Sequence, residues 1–290
     1  MKNKYFKILI LLAFFMLTFE IFAESQEEIM RVTRQELKDL KINEKSIEKT
    51  FEGIKMQEVD FSKSKKPFEE AVQLDGKNYL AMLYIGTYER MINKDSKKAI
   101  EYYQKAIKLN PKNPRPYNNM AIAYAYLGDK KKSNETIQKI MSLFPEYPEG
   151  YYQWALKLAD EKKYSESTEY MKKAIEKYNK IKKLDYWYIT QDAKEHYIMD
   201  AQKIIIYNYL DQNKLTDAID FFKDDIFFKM KENGYPDVDK LLVAMYDKNE
   251  KLYKNKNSKL YKENFEKLKS IEFAGLLIKA YDDMKTKDKK

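Results

Sequence analysis

The fold is decided by one stretch of sequence, YNNMAIAYAYLGDKKKSNETIQKIMSLFP, which runs from Tyr117 to Pro145. Its apolar residues recur every three or four positions, as they do on one face of a helix, and Gly128-Asp129 interrupts this pattern at its middle. The same pattern returns 34 residues later, from Tyr151 to Ala174. A helix–turn–helix unit that recurs at a fixed period predicts stacked units that share a continuous core.

A column of small residues extends this period in both directions along the chain. Its members are Ser64, Ala99, Ser133, Ser167 and Ala218. Their spacings are 35, 34, 34 and 51 residues, and the last spacing is one period plus 17 residues. This excess predicts that a helical segment is inserted near residues 184–197, ahead of a fifth and degraded unit.

These motifs resemble the tetratricopeptide repeat (TPR) family, in which a W-x2-L-G-x2-Y helix is followed by an A-x3-F helix and a proline. The resemblance covers roughly Lys45 to Met230 and is strongest between Tyr79 and Tyr178. It implies an all-α fold, an α-solenoid of about five helix pairs with capping helices at both ends. It also implies that the chain binds a protein or peptide in a concave groove and has no catalytic activity.

We expect the chain to be organised in five segments. These are a signal peptide (1–23), an N-terminal capping helix (24–44), about four repeats (45–181), an inserted helical segment with a degenerate repeat (182–232), and a C-terminal helical region with a basic tail (233–290). Pro67 is expected to kink a helix, and the last helix is expected to run from Ser258 to about Met284.

The N-terminus has the pattern of an export signal. Lys2, Lys4 and Lys7 precede an apolar run, Ile8–Phe19, and Ala23 ends the segment. Twelve apolar residues are fewer than the ~20 needed to span a bilayer, so cleavage near Ala23 is favoured over an uncleaved anchor. We therefore expect the protein to be periplasmic or secreted.

Composition narrows the possible partners and the possible chemistry. The 290 residues include 55 Lys and Arg, 46 Asp and Glu, one His, seven Gly and no Cys. The absence of cysteine excludes disulfides and lipidation at an N-terminal cysteine. Only four basic residues are arginine, so nucleic acid is not an expected partner, because base recognition favours arginine. Association of the lysines with anionic membrane or cell-wall glycan stays open as an alternative function.

No pattern in the sequence indicates an enzyme, a metal site or a cofactor. His196 stands alone, and no pair of glycines has a phosphate-loop or dinucleotide spacing. Adjacent carboxylates on a helix do not face one another. The remaining alternative is a cell-wall-active enzyme in which the repeats are accessory and the region after Tyr178 carries the reaction.

The resemblance also implies which residues line the groove, namely those on one face of each first helix. The predicted partner-binding residues are Leu83, Thr87, Arg90, Arg115, Asn118, Ile122, Tyr126, Tyr152 and Leu156, and Leu80, Glu149 and Ala159 share these faces. The chaperone-tail subgroup of the family clamps a peptide carboxylate with lysines and asparagines. Leu83 and Thr87 occupy two of the places where those groups would be needed, so such a clamp is not predicted.

Overall fold

A computed structural model describes residues 27–181, 191–222, 225–232, 234, 238–253, 258–271 and 278 of the 290-residue chain. These residues form helices and their connections, without a strand among them, and the predicted all-α fold is confirmed. The helices are α1 (27–39), α2 (Glu44–Val59), α3 (Lys65–Leu74), α4 (Tyr79–Met91), α5 (Ser96–Leu109), α6 (Pro114–Tyr126), α7 (Lys130–Leu143), α8 (Pro148–Asp160), α9 (Tyr164–Lys180), α10 (Gln191–Asp211), α11 (Leu215–Phe222), α12 (Asp225–Glu232), α13 (Val238–Leu252) and α14 (Lys259–Ser270).

Contacts divide the described chain into two compact units. The first comprises residues 1–150 and 180–194 where they are described, and the second comprises 151–179 and 195–290. In the first unit α2 packs on α3, α4 on α5, and α6 on α7. Successive pairs are joined by contacts of α3 with α4 and of α5 with α6. This hairpin-by-hairpin stacking is the arrangement that the 34-residue period predicts.

Small residues mark the points where the two helices of a pair cross. A Cβ atom on Gly86 would lie 2.6 Å from the ring of Tyr103, and one on Gly53 would lie 2.5 Å from the ring of Phe68. In the next pair the Ser133 hydroxyl donates to the carbonyl of Ala121 (2.9 Å). The predicted column of small residues is buried throughout, because the helix backbones approach too closely for larger side chains.

The turns between paired helices repeat as regularly as the helices do. The α2–α3 connection has no residue with a positive φ, but each of the next four turns has one: Lys94 (55°), Gly128 (75°), Lys162 (59°) and Asn213 (59°). These residues are 34, 34 and 51 positions apart, like the small residues that follow them. α10 and α11 are therefore joined by the same type of turn as the preceding pairs, as expected of a fifth unit.

Two local expectations were wrong. Pro67 is the third residue of α3, in the first turn, where its missing N–H has no partner to lose, so no kink is needed. α14 begins as expected after Ser258, whose hydroxyl accepts the Tyr261 N–H, but it ends at Ser270 with Ile271 in an extended conformation. The predicted signal peptide, residues 182–190 of the inserted segment, and the basic tail lie outside the described residues.

The second unit has a core of its own. Ala218 and Phe222 of α11 pack in one buried cluster with Phe227 of α12, Leu241 of α13 and Leu268 of α14. The Phe222 and Phe227 rings meet edge to face, with centroids 5.6 Å apart. The region after the repeats is thus folded around apolar side chains. No helix among the described residues is long and apolar enough to cross a membrane.

Helix α1 covers the beginning of the first unit. Leu37 is fully buried in the core that α2, α3 and α4 share, and the Arg34 guanidinium lies 4.8 Å from the centre of the Phe51 ring. The carboxylate of Glu36 accepts hydrogen bonds from the hydroxyl of Tyr79 (2.8 Å) and the amide of Asn110 (3.0 Å). These contacts make α1 an integral part of the first unit.

Candidate partner-binding surface

The first half of α4 is closed to partners. Tyr79 to Gly86 are all buried, and Leu83 has no exposed surface. Leu80 and Leu83 belong to the same core as Leu37 of α1. The exposure expected of Leu83 is therefore wrong, because an all-apolar helix segment is covered on every side.

The second half of α4 is partly open and is tied to α6. The hydroxyl of Thr87 donates to the carbonyl of Leu83 (3.0 Å) and accepts from the amide of Asn119 (3.3 Å). One turn later, the guanidinium carbon of Arg90 lies 5.9 Å from the centre of the Tyr126 ring. Thr87 and Arg90 are thus held on the surface by contacts with α6.

The predicted binding residues of α6 differ in how much of each side chain is exposed. Asn118 and Ile122 are partly exposed, and 73% of Tyr126 is exposed. The side-chain oxygen of Asn118 is buried without a hydrogen-bond partner. Arg115 lies over the Tyr84 ring, 5.4 Å from its centre; burial alone would lower its pKa, but the neighbouring tyrosines, Tyr84 foremost, raise it.

The open parts of α4 and α6 meet in a pocket of about 280 Å³. Its lining residues are Arg90, Met91, Lys94, Ser96, Tyr126 and Leu127. Met91 and Leu127 are exposed apolar residues. Neither they nor Lys94 are among the binding residues predicted from the sequence. The signal that could have found them is their position, since each lies at the C-terminal end of a first helix or in the turn that follows.

The electrostatics of this pocket are cationic. Glu89, next to Arg90 in sequence, is only 1% exposed and is held by Lys65 (3.1 Å), Lys98 (3.0 Å) and Asn93 (2.6 Å). Burial alone would raise the pKa of Glu89, but the hydrogen bonds of these three side chains outweigh it and lower the pKa below its usual value. The Glu89 carboxylate is therefore already neutralised and does not offset the charge of Arg90.

The two remaining predicted binding residues, Tyr152 and Leu156, lie in the second unit and differ in exposure. Tyr152 is buried, its hydroxyl donates to the carboxylate of Asp200 on α10, and its ring meets Tyr197 edge to face at 6.0 Å. Its expected exposure is wrong, because α10 supplies a carboxylate partner for its hydroxyl. Leu156 is partly exposed. Glu149, in the first unit, is buried, and Ala159 is partly exposed.

A second and larger cavity, of about 700 Å³, opens beside α2 and α3 in the first unit. Several of its charged side chains pair with one another: Lys49 contacts Glu70 (2.8 Å) and Glu52 (2.9 Å), which raise its pKa. Four lysines and three glutamates line the cavity, so most of its charge is compensated within the lining. Within the described ranges no three His, Asp or Glu side chains are grouped closely enough to hold a metal ion.

Comparison with known proteins agrees with the observed fold. The family model described as "TPR repeat" matches residues 92–128, from the end of α4 to the turn after α6. Photosystem I assembly protein Ycf3 of Rippkaea orientalis is 47% identical over 38 residues, which are 13% of this chain and only 22% of that protein.

Two solved structures share the architecture over most of the chain. One is TTC0263, a thermophilic TPR protein of Thermus thermophilus (TM-score 0.51, 14% identity, 70% of this chain and 98% of that one). The other is pilF of Pseudomonas aeruginosa (TM-score 0.51, 15% identity, 77% of this chain and 97% of that one). At these identities the likeness shows the fold alone.

Proposed function

We propose that this chain, which matches the TPR repeat model over residues 92–128 and has the fold of a TPR protein, is a non-enzymatic scaffold that binds a protein or peptide partner. The observation that carries the proposal is the open end of the α4–α6 face. There an aromatic ring, 73% exposed, lies beside an arginine and two exposed apolar side chains. Tyrosine and arginine are enriched among residues that contribute most to binding energy at interfaces.

The binding surface that we propose is smaller than the predicted groove. It comprises Thr87, Arg90, Asn118, Ile122 and Tyr126, all at least partly exposed in the first unit. Leu83 and Tyr152 are excluded because both are buried, and Arg115 is occupied by its contact with Tyr84. A surface of this kind suits an extended or helical segment of a partner.

The proposal is tested by capture of partners from the native cells with the tagged full-length chain, at low and at high salt. We expect a protein that is retained at high salt and is lost with Tyr126→Ala. The matched control is Leu143→Ala, which removes a half-exposed apolar side chain from α7. A partner that both variants retain would contradict the proposed surface, and release of all bound material by salt would favour the lysine-mediated alternative.

We further propose that the scaffold works in the cell envelope, after export. The support is the basic and apolar pattern of residues 2–23. Fractionation of cells that express the C-terminally tagged chain, followed by mass measurement, tests this. The expected product is outside the cytoplasm and begins at Glu24. A cytoplasmic chain of full mass would contradict export and would leave the binding proposal standing.

A further inference from the structure

The pocket between the ends of α4 and α6 combines two cations with apolar walls. Arg90 and Lys94 supply the charges, and Met91, Tyr126 and Leu127 supply the apolar surface. Neither cation forms an ion pair with any residue that the structure describes. At about 280 Å³, the pocket lies at the lower limit of ligand sites, which start at about 300 Å³, so it fits one or two side chains of a larger partner.

Neighbouring rings hold the Arg90 side chain in place, but one of its N–H groups has no hydrogen-bond partner. Its guanidinium lies over the ring of Tyr126, on the surface side. Arg90 also interacts with Tyr103: burial raises the pKa of that tyrosine, and Thr87 first and then Arg90 oppose the rise. The Nε atom of Arg90 is nevertheless buried without a hydrogen-bond partner. A guanidinium has five N–H donors in a rigid fork, and a buried donor without a partner is costly.

Lys94 is the second source of positive potential at this pocket. Lys94 is exposed in the turn after α4, with φ of 55°. Ser96, the first residue of α5, also lines the pocket. Asp95 caps the start of that helix by accepting the N–H of Lys98 (2.9 Å), and its charge offsets the positive helix end. Glu89, next to Arg90 in sequence, is held by Lys65 and Lys98.

We propose that this pocket receives a carboxylate next to an apolar side chain of the partner segment. The carboxylate pairs with the Arg90 guanidinium and with Lys94, while the apolar side chain packs on Met91, Tyr126 and Leu127. The carboxylate belongs either to an aspartate or glutamate or to the partner's C-terminus. This inference rests on the proposed function and adds the chemistry of the partner to it. Its site differs from the chaperone-type clamp, since the residues at two of those places, Leu83 and Thr87, do not line the pocket.

Selection from random peptide libraries on phage, with the full-length chain as bait, tests the proposal. One library displays peptides with a free C-terminus, and the other displays internal peptides whose C-terminus is fused to the coat protein. We expect enriched peptides to carry an acidic group within two residues of an aromatic or aliphatic one. Enrichment in both libraries assigns side-chain carboxylates, and enrichment of the free C-termini alone assigns the terminal carboxylate.

The enriched peptides are then synthesised and their affinity is measured by fluorescence anisotropy. Loss of a charge-assisted hydrogen bond predicts about ten-fold weaker binding for Arg90→Gln and a few-fold weaker binding for Lys94→Gln. Lys108→Gln, which removes an exposed lysine of α5 outside the pocket, should leave affinity unchanged. Because Lys94 is exposed, its variant keeps the test decisive even where Arg90→Gln lowers stability.

Three results would overturn this inference. Peptides without an acidic group, or acidic peptides that bind Lys94→Gln and Arg90→Gln as well as the unaltered chain, show that the pocket does not read a carboxylate. If those peptides still depend on Tyr126, the proposed binding surface stands without the acidic preference. The absence of any enriched peptide rejects both the inference and the binding of a short partner segment.

Discussion

Helices α4 and α6 are the first helices of successive repeats, and equivalent positions on them lie 35 residues apart. Leu83 on α4 corresponds to Asn118 on α6, and Leu80 corresponds to Arg115. Both leucines are buried; Asn118 is partly exposed, and Arg115 lies over the Tyr84 ring. The same face of the same repeat element is therefore closed on one helix and open on the next.

The difference separates two properties that a repeat alignment treats as one. The period of the repeat decides which side chains share a helix face, and this part of the prediction is right for both helices. Whether the face is open depends on what else packs against it, and α4 shares its core with α1. Partner binding is accordingly expected at α6 and at the last turn of α4.

The largest effect should come from matched substitutions at the equivalent positions. Leu83→Ala should lower the free energy of unfolding by about 3 kcal/mol, because it leaves a cavity in a closed core. Asn118→Ala should change it by less than about 0.5 kcal/mol or raise it slightly, because an unsatisfied buried oxygen is removed. Urea unfolding followed by circular dichroism measures both, and equal losses would break the contrast between the two helices.

Substitutions at the equivalent residues Gly86 and Ala121 test the same contrast where α4 crosses α5 and where α6 crosses α7. Gly86→Ala should lower the free energy of unfolding by about 2 kcal/mol, because the new methyl group would lie 2.6 Å from the Tyr103 ring. Ala121→Gly should cost about 1–2 kcal/mol, through backbone entropy and the loss of a buried methyl group. A neutral Gly86→Ala variant in thermal unfolding would show that α4 and α5 are not so closely packed.

Acid should weaken the α4 side of the first unit through Glu89. Its pKa is lowered in the folded state, so its contribution is complete above the unfolded value near 4.5 and is lost as pH falls through the folded pKa. Glu89→Gln should cost about 1.5 kcal/mol at neutral pH and should flatten the fall in stability at acid pH. The check is urea unfolding of both chains from neutral to acid pH. An unchanged pH profile in the variant would show that Glu89 is not the group responsible.

The smallest effect is expected at the turns that follow the two helices. Lys94 and Gly128 both have positive φ, a conformation that costs a residue with a side chain about 1 kcal/mol. Lys94→Gly should therefore stabilise the chain by up to about 1 kcal/mol, and Gly128→Ala should destabilise it by a similar amount. Shifts of the same sign in calorimetry would contradict the equivalence of the two turns.

Much of the repeat architecture can be predicted from residue types that recur at fixed positions in the sequence. The small residues from Ala99 to Ala218 predict the crossings, and their 51-residue gap predicts the fifth pair, because close backbone approach tolerates few residue types. The closure of α4 was also visible, since YLAMLYI from Tyr79 to Ile85 has no polar face. The family's groove positions predict exposure of this segment, whereas its own composition predicts burial, and the composition is right.

Other features of the site have no local signal. Tyr152 is buried against Asp200, 48 residues away, and a contact of that range does not show in helical periodicity. The pocket at Arg90 depends on Lys94, a lysine in a left-handed turn where glycine or asparagine is the usual residue. Sequence patterns predict helices and their buried faces, but they do not predict which surface side chains converge.

The most direct test of the open α6 face is site-specific photocrosslinking in the native cells. A benzophenone amino acid replaces Tyr126, and in a control chain it replaces Tyr102, a partly exposed tyrosine of α5. We predict that the chain labelled at 126 crosslinks to one discrete protein, that the chain labelled at 102 does not, and that Arg90→Gln weakens the crosslink. Equal crosslinking at both positions, or none at position 126 in a folded chain, would contradict the claim that this face binds the partner.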